Sequence, residues 1–421
     1  MNLAGLSLES IFVLPISIVA FLVLLSIIVF VHEYGHFSVA RMLGVKVEVF
    51  SIGFGKTLVK WIDRKGTEWR IAMLPLGGYV KFFGDVNAAS QAPPEAAHHE
   101  GHPVTTQFPR PGHEEEVASH MTAEERAVCF HFKPVWARAL IVAAGPIFNF
   151  ILAVAIFTVI FMTVGRYDLD AVIGDVAENT AAAEAGLMSG DRIVSMNGRK
   201  LDSFNPVYDI VLLSGGDEIE IELLRDGEPV TAKATPRRVE SQDRYGNTVE
   251  VWQLGIRPDG SAYTFQKFGF GAAVQQGVHE LWRVLSVTVR FLGKIIAGQE
   301  DPRQLGGPLK MAQYAGQSAM SGFDDTTSAQ SPSFWAKLKV SLFDFVSLAA
   351  VVSISIGFLN LLPVPVLDGG HLVYYAYEAV AGKPLGPRAQ AFGFRVGIVL
   401  LASLMIFVTW NDINNLISSI S

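Results

Sequence analysis

The sequence contains the motif HEYGH at residues 32–36, at the end of an apolar run that begins at Ile11. On a helix, His32 and His36 lie one turn apart on one face and can bind a single metal ion, with Glu33 placed as a general base. The motif also occurs by chance, and a histidine on an apolar face is commonly a core residue with a satisfied hydrogen bond. Ionisable groups at membrane depth, however, are costly unless they are paired, metal-bound or functional. The motif therefore predicts a metal site at the edge of a membrane.

A catalytic zinc ion commonly has three protein ligands and one open position, so a third ligand is expected elsewhere in the chain. The candidate is Asp368, which lies in the segment 360–371, where two prolines and two glycines break a helix. Broken backbone is tolerated at membrane depth only where it is buried in protein or faces a watery cavity. Asp368 is thus expected to join His32 and His36, although 332 residues separate it from His36.

The composition favours a membrane protein with soluble parts. Of the 421 residues, 50% are hydrophobic and 17% are charged, and the mean hydropathy is +0.34. A net charge of −7 without a basic stripe argues against nucleic acid as a partner. The single cysteine, Cys129, excludes an internal disulfide. Residues 1–10 have no Lys or Arg, and the run from 11 to 31 is too long for a signal peptide, so we expect a retained span.

Four segments are long and apolar enough to cross a bilayer, namely 11–31, 139–164, 345–367 and 389–411. Lys and Arg crowd the segment between the first two spans and the short segment before the last, whereas the two ends of the chain have none. The positive-inside rule then places both ends outside the cytoplasm and the HEYGH edge of the first span on the cytoplasmic side. The region between the second and third spans lies across the membrane.

These features predict a multi-pass α-helical membrane protein of about four transmembrane helices, with a membrane-associated β-hairpin region and an extracytoplasmic α+β domain. The predicted parts are the first span with HEYGH (1–45), the hairpin region on the cytoplasmic side (46–85), a flexible His- and Pro-rich loop (86–130), the second span (131–165), the periplasmic α+β domain (166–262), a periplasmic amphipathic helical linker (263–341), the third span with its break (342–375), and the fourth span with the C-terminus (376–421).

In the hairpin region, short alternating runs at 58–62 and 67–73 flank a turn at 63–66. The apolar, glycine-rich pieces 50–55 and 74–79 suggest that the sheet dips toward lipid beside the HEYGH helix. Two interpretations stay open. The region is either a purely structural hairpin or an edge that binds an unwound substrate as an added strand.

The segment 86–125 is rich in Pro, Ala, Glu and His without periodicity, which is typical of a disordered, solvated loop. Metal binding by its histidines is the alternative, but no fixed helical spacing is visible. These histidines are His98, His99, His102, His113 and His120.

The α+β domain combines alternating strands with a marked motif. Residues 218–223 alternate with period two, as in a half-buried strand. The motif AGLxxGDRIxxxNG at 185–198 closely resembles that of bacterial, circularly permuted PDZ domains. This resemblance implies that a peptide carboxylate or strand docks beside the strand with Leu254, Gly255 and Ile256. A plain spacer is the alternative.

In the linker, apolar residues recur with helical spacing between Val278 and Ile296, while Arg283, Arg290 and Lys294 share the opposite side. This pattern predicts a basic amphipathic helix, which either lies on the bilayer surface or packs on the α+β domain.

Together the motifs strongly resemble those of the site-2 protease family of intramembrane metalloproteases, in its bacterial RseP-type branch. The resemblance rests on HEYGH, on residues 133–136 and 143–149 at the start of the second span, on the PDZ-like motif, and on residues 360–370, which match NxxPxPxLDGG.

This resemblance implies a zinc ion held by His32, His36 and Asp368, with Glu33 as general base and Asn360 near the scissile carbonyl. It also implies residence in the bacterial inner membrane. The substrates of the family are single-span membrane proteins already trimmed on the outer side, such as anti-sigma factors, and signal-peptide remnants.

Two departures from the family pattern bear on substrate gating. The best-known enterobacterial members have two PDZ domains, whereas this chain has room for one, and the loop at 86–125 is longer than usual. Two other classes of protein also fit parts of the chain, a membrane metal carrier and a PDZ scaffold. Neither requires Glu33, because metal binding needs only the three ligands.

Overall fold

The structure is a computed structural model that describes residues 8–83, 121–242, 248–323 and 333–420. Its helices are α1 (Leu8–Met42), α2 (Ala123–Val128), α3 (Val135–Thr163), α4 (Ala181–Glu184), α5 (Asn205–Leu212), α6 (Phe270–Ile296), α7 (Pro308–Met320), α8 (Phe334–Asn360), α9 (Asp368–Ala381) and α10 (Pro387–Ile420). Its strands are β1 (Val47–Ile62), β2 (Glu68–Phe82), β3 (Arg166–Leu169), β4 (Ile173–Val176), β5 (Arg192–Met196), β6 (Arg199–Lys200), β7 (Ile219–Arg225), β8 (Glu228–Ala234), β9 (Arg237–Gln242), β10 (Thr248–Gln253), β11 (Ile256–Pro258) and β12 (Tyr263–Gln266).

Four helices of the described chain, α1, α3, α8 and α10, are long and apolar enough to span a membrane. This confirms the predicted membrane class, but the helix ends differ from the predicted spans. Helix α1 continues past Val31 to Met42, so HEYGH lies inside it, and Gly44 with φ +70° follows its end. Helix α8 stops at Asn360, and the predicted remainder of that span is not helical.

The chain forms two compact units, residues 1–153 with 306–421 and residues 154–305. In the first unit, β1 and β2 form more than a simple hairpin. Residues 49–52 pair with 78–81 on one side and with 68–71 on the other, while 59–62 pair with 68–71 from the far side. Four strand segments therefore lie in the order 78–82, 47–52, 68–71 and 59–62. The strands can fold back because Gly53 and Gly55 adopt positive φ.

The sheet is fixed on α1 by a cluster of buried aromatic rings. Phe37 of α1 lies edge-on to Phe50 with ring centroids 5.1 Å apart, and Phe50 lies 4.4 Å from Trp69. Phe37 and Phe50 are 4% and 0% exposed. Each such ring stabilises the arrangement by about 1.5–3 kcal/mol through burial alone.

Asp63, in the turn between β1 and β2, links this sheet to the end of α1. Its carboxylate accepts hydrogen bonds from Arg41 at 2.5 Å and from the Trp69 indole at 3.1 Å. It also accepts from the backbone of Lys65 and Thr67. Burial raises the pKa of this carboxyl, but the hydrogen bonds outweigh burial and lower the pKa to about 2.

The second unit is an α+β region. Its central sheet is antiparallel with the order β6-β5-β7-β8, beside the short pairs β4–β11, β3–β12 and β9–β10. The predicted alternation is confirmed in β7, where Ile219, Ile221 and Leu223 are buried and the glutamates between them are exposed. Because β12 pairs with β3, the region continues past the predicted boundary at residue 262.

The predicted amphipathic helix between Val278 and Ile296 is present as α6, which begins earlier, at Phe270. Arg283 of α6 pairs with Asp209 of α5 at 3.2 Å. Just after α6, the buried Glu300 accepts hydrogen bonds from Arg238 and from the Trp252 indole at 2.7 and 2.6 Å. These contacts show that α6 packs on the α+β region.

Helix α7 differs from the predicted periplasmic linker, because it packs among the spanning helices of the first unit. Gly316 lies so close to Ser17 of α1 that an added Cβ would come within 1.9 Å of its hydroxyl. The buried Asp412 of α10 accepts hydrogen bonds from the backbone of Gly307, Leu309 and Lys310. It thereby caps the first turn of α7 from another helix.

Only the end of the predicted flexible loop at 86–130 falls within the described residues, and the five histidines lie outside them. This end is helical. Helix α2 starts with a capping box of Thr122 and Glu125, and the buried Phe130 stacks on Phe82 at 5.0 Å.

Replacing Asp63 by Asn should lower the free energy of unfolding by about 1–3 kcal/mol, because the charge-assisted bonds to Arg41 and Trp69 weaken. The folded pKa lies below the ordinary value of 3.8, so the stabilisation is present above about pH 4 and is lost as the pH falls toward 2. The lead of the wild type over Asp63→Asn in thermal midpoint should shrink in that window. Glu68→Gln, which loses a bond only to Arg70 two residues away, is the control. An equal effect of both variants would contradict the assignment.

Candidate metal centre

Three side chains from two helices converge in the first unit. His32 and His36 lie one turn apart on α1, and Asp368 is the first residue of α9. His32 Nε2 and His36 Nε2 are 3.2 Å apart, and Asp368 Oδ2 lies 3.1 Å from the first and 3.5 Å from the second. All three residues are at most 9% exposed. The structure thus brings together the three predicted ligands.

The spacing of these atoms fits a tetrahedral ion. With ligand distances of about 2.0–2.1 Å, the corners of a tetrahedron lie about 3.3–3.4 Å apart. The three observed separations, 3.1, 3.2 and 3.5 Å, bracket that value. Two imidazole nitrogens and one carboxylate oxygen are also a donor set that zinc accepts, and three converging lone pairs repel one another unless a cation lies between them.

The two histidine rings owe their position to a close crossing of α1 and α3. A Cβ added to Gly35 would lie 2.4 Å from Ala144 O, and one added to Gly145 would lie 2.3 Å from His36 Nε2. The same Cβ at position 145 would meet the His32 ring at 2.9 Å. Only glycine fits at these two positions, because any side chain would push the helices apart or displace both ligands.

The orientation of His36 is fixed by a backbone carbonyl. Its Nδ1 lies 2.9 Å from Ile141 O of α3, and since a carbonyl can only accept, Nδ1 has the proton. The lone pair is then on Nε2, which faces Asp368. Pro146 follows within α3. Because proline lacks an N–H and kinks a helix, it loosens the turn that presents this carbonyl.

Asp368 is positioned by the break between α8 and α9. A Cβ at Gly369 or Gly370 would lie 2.3 Å from the carbonyl oxygens of Leu361 or Val364, so the two glycines allow the chain to fold back tightly. At the first position of α9 the carboxylate also faces the positive end of the helix dipole. Further along, Glu378 of α9 accepts a hydrogen bond from Arg138 of α3 at 2.6 Å, which ties the two helices together.

Glu33 faces a cavity of about 190 Å³ beside the three ligands. Its Oε2 is buried and, within the described part of the chain, has no hydrogen-bond partner. Asn360 lines the same cavity, as predicted for a group near the reaction centre. The other lining residues are Val29, His32, His36, Phe54, Gly77, Gly78, Val80, Phe82, Ile356, Val366, Leu367 and Asp368.

Known proteins match the chain along most of its length. The sequence profile described as "Peptidase family M50" matches residues 20–404. The chain belongs to peptidase family M50. This is the site-2 protease family indicated by the motifs, and its members that resemble this chain include "Metalloprotease MmpA" of Caulobacter vibrioides, which is 40% identical over 402 − 1 = 401 residues, 95% of this chain and 96% of that protein.

A second relative of this M50 peptidase is named "Putative zinc metalloprotease Atu1380", from Agrobacterium fabrum. It is 42% identical over 402 residues, covering 95% of this chain and 96% of that protein. A more distant relative from Rickettsia conorii is 30% identical over 407 residues. The family, the relatives and the donor set agree that this M50 peptidase is a membrane zinc metalloprotease.

The residues predicted for peptide binding lie in the second unit. Leu254 is 2% exposed and belongs to the core of the α+β region. Its carbonyl accepts from Ala182 N, and the carbonyl of Gly255 accepts from Ala177 N. Ile256 begins β11, which pairs with β4. These contacts hold the strand in place, and substrate binding there stays a prediction.

The sequence analysis missed the supporting residues of the metal centre of this M50 peptidase. Gly145 and Asn149 lie in the quoted stretch 143–149, but neither was given a role. The signal for Asn149 was an amide in an apolar span, where a polar side chain is expensive without partners. The carbonyl of Ile141 has no sequence signal, because any residue supplies one.

Gly145→Ala should weaken zinc binding at least tenfold, because its Cβ would overlap the His36 and His32 rings. Alanine otherwise favours a helix over glycine by about 1 kcal/mol, so the variant is expected to remain folded. Zinc content after dialysis against a chelator measures the effect. Gly293→Ala in α6, where an added Cβ meets nothing within 4 Å, is the control. Wild-type zinc retention by Gly145→Ala would show that the crossing does not set the ring positions.

Proposed function

We propose that this M50 peptidase hydrolyses a peptide bond within the transmembrane segment of single-span membrane proteins, in regulated intramembrane proteolysis. The observation that carries the proposal is the position of Glu33. This acid lies on a spanning helix between the two histidines and faces the cavity that they line with Asp368. A base, a metal centre and an enclosed space at one point of a membrane helix are the parts that such a hydrolysis needs.

In the proposed reaction, the roles of the protein groups follow from their surroundings. A bound zinc ion supplies Lewis acidity for the hydrolysis. Glu33 takes a proton from water and gives it to the leaving amine. Its unpartnered Oε2 supports this role, because a carboxylate locked in an ion pair would be a poor base. The Asn360 amide donates to the oxygen of the scissile carbonyl as negative charge develops there.

We infer that the sheet holds the substrate in an extended form, because a helix conceals its backbone carbonyls from attack. Gly77 and Gly78 line the cavity, and Gly78 lies against Glu33, since an added Cβ would be 3.0 Å from its Cγ. Backbone without side chains at this point leaves room for a substrate strand beside the base.

The proposed substrates are proteins already trimmed on the outer side, of the anti-sigma-factor type, and signal-peptide remnants. We propose that the α+β region is a single PDZ domain that docks the trimmed end or excludes intact, bulky proteins, using the strand of Leu254, Gly255 and Ile256. The motif at 185–198 supports this assignment. So does Gly255, whose φ of +87° and contact with Thr180 suit the tight loop of such domains.

The proposed orientation places both termini in the periplasm, and the metal centre near the cytoplasmic face of the inner membrane. It is supported by the basic residues that follow HEYGH. Arg41 ends the first span, and the outer strand segment and turn of the sheet contain exposed Lys56, Lys60, Arg64 and Lys65.

A metal carrier would also use two histidines and an aspartate at membrane depth, and a PDZ scaffold would use the α+β region alone. The carrier has no need for an acid held beside the ligands without a hydrogen-bond partner, as Glu33 is among the described residues. The scaffold has no need for the metal centre. Glu33 therefore favours the protease over both.

Glu33→Gln should retain about one zinc per chain and lose cleavage, because the ligands remain while the base is gone. Metal analysis beside a cleavage assay on a model transmembrane substrate measures both. Asp368→Ala is the matched control and should lower the zinc content itself, since two histidines compete poorly with water for the ion. Near-normal cleavage by Glu33→Gln would exclude the proposed role.

Asn360→Leu should lower turnover by ~10²-fold or more while zinc content and thermal stability stay unchanged, since one oxyanion donor typically contributes that much. Capture of substrate by a Glu33→Gln, Asn360→Leu double variant should be normal. Should Asn360→Leu lose stability or zinc in step with its activity, the amide would instead be a structural group that bonds the carbonyls freed by Pro363.

A further inference from the structure

We propose that Asn149 is a positioning residue for zinc, because its amide oxygen accepts the Nδ1 proton of His32 and so keeps Nε2 of that ring available for the ion. The inference rests on zinc binding by His32, His36 and Asp368 and not on the proposed cleavage of membrane segments. It gives a role to the one amide of the stretch 143–149.

Asn149 lies on α3, one turn beyond Gly145, and is completely buried. Its Nδ2 lies 3.3 Å from His32 Nδ1. Its backbone oxygen accepts a hydrogen bond from Ser353 of α8 at 2.9 Å. Among the described residues, its Oδ1 has no hydrogen-bond partner. The side chain is therefore held against the His32 ring from behind, with one polar atom unused.

The proton count on His32 decides which amide atom must face the ring. A neutral imidazole has one proton, and a ring that binds metal through Nε2 has that proton on Nδ1. An Nδ1–H that faces the Nδ2 of Asn149 would put two donors together. A half-turn of the amide about its Cβ–Cγ bond places Oδ1 there instead, where it accepts the proton. This turn also gives the unused oxygen a donor, and a buried oxygen without one costs about 1–3 kcal/mol.

The opposite arrangement would not bind zinc. If Nδ2 donates to Nδ1, the proton of His32 is on Nε2, within 3.1–3.2 Å of Asp368 Oδ2 and His36 Nε2. That proton then occupies the point where the three ligand atoms converge. The amide orientation and the state of the metal site are thus two aspects of one arrangement.

The two histidines differ in this respect. His36 Nδ1 donates to the carbonyl of Ile141, which belongs to the helix backbone and cannot turn. His32 is held by a side chain that can present either an acceptor or a donor. Asn149 therefore sets the metal-binding state of His32, whereas that of His36 is fixed by the fold.

The test measures zinc affinity in the purified full-length protein by competition with a chelator, without substrate. Asn149→Leu keeps the size of the side chain but removes the acceptor, and Asn149→Ala serves if the leucine variant does not accumulate. Asn149→Asp keeps an acceptor at the same reach. Ser353→Ala removes the bond to the Asn149 backbone and leaves its side chain in place, so it is the matched control for packing between α3 and α8.

We expect Asn149→Leu and Asn149→Ala to bind zinc about 10–100-fold more weakly than the wild type, in the range typical of lost outer hydrogen bonds to metal ligands. Asn149→Asp should restore affinity to within about threefold, and Ser353→Ala should keep it, even if its thermal midpoint falls. Wild-type affinity in the leucine or alanine variant would overturn the proposal. So would an aspartate variant as weak as these two, or an equal loss in Ser353→Ala. Because no cleavage is measured, failure of the proposed proteolysis would leave this result unaffected.

Discussion

The metal centre depends on how closely α1 and α3 approach each other. Gly35 meets the Ala144 carbonyl, and Gly145 meets both histidine rings, so the two helices touch backbone to backbone at the level of the ligands. This contact brings the Ile141 carbonyl to one ring and the Asn149 amide to the other. The ligands and the groups that orient them are thus placed by one crossing, and a change of a single methyl group there affects all of them.

The third ligand arrives by a different physical route. A continuous α8 would carry Asp368 about 12 Å beyond Asn360 along its axis, at about 1.5 Å for each of the eight residues. The chain instead breaks after Asn360 and folds back on glycines, so that both residues reach one cavity. The bond between Arg138 and Glu378 then holds α9 against the same helix that orients the histidines. Rigid helices fix two ligands, and an irregular segment between helices delivers the third.

The sequence was sufficient to predict the ligands, because HEYGH and the segment 360–371 combine costly ionisable groups with local backbone signals. It also predicted the membrane class and the period-two strand at 219–223. The end of α1 was missed because a helix can continue past its apolar run through residues such as Arg41. The four-segment sheet was missed because its order follows from bends at Gly53 and Gly55, which look like ordinary strand interruptions in sequence. The packing of α7 depends on Asp412, about 100 residues away, and no local pattern reports such a contact.

The separation between the ligands along the chain has a consequence for biosynthesis. His32 and His36 leave the ribosome early, but Asp368 follows 332 residues after His36. At about 5–20 residues per second, translation of that stretch takes roughly 20 s to 1 min. During this interval the nascent chain has the base and two ligands but lacks the third, so a hydrolytic centre does not exist while most of the polypeptide is still being inserted. The order of the ligands protects the unfinished protein, and its neighbours at the insertion site, from premature hydrolysis.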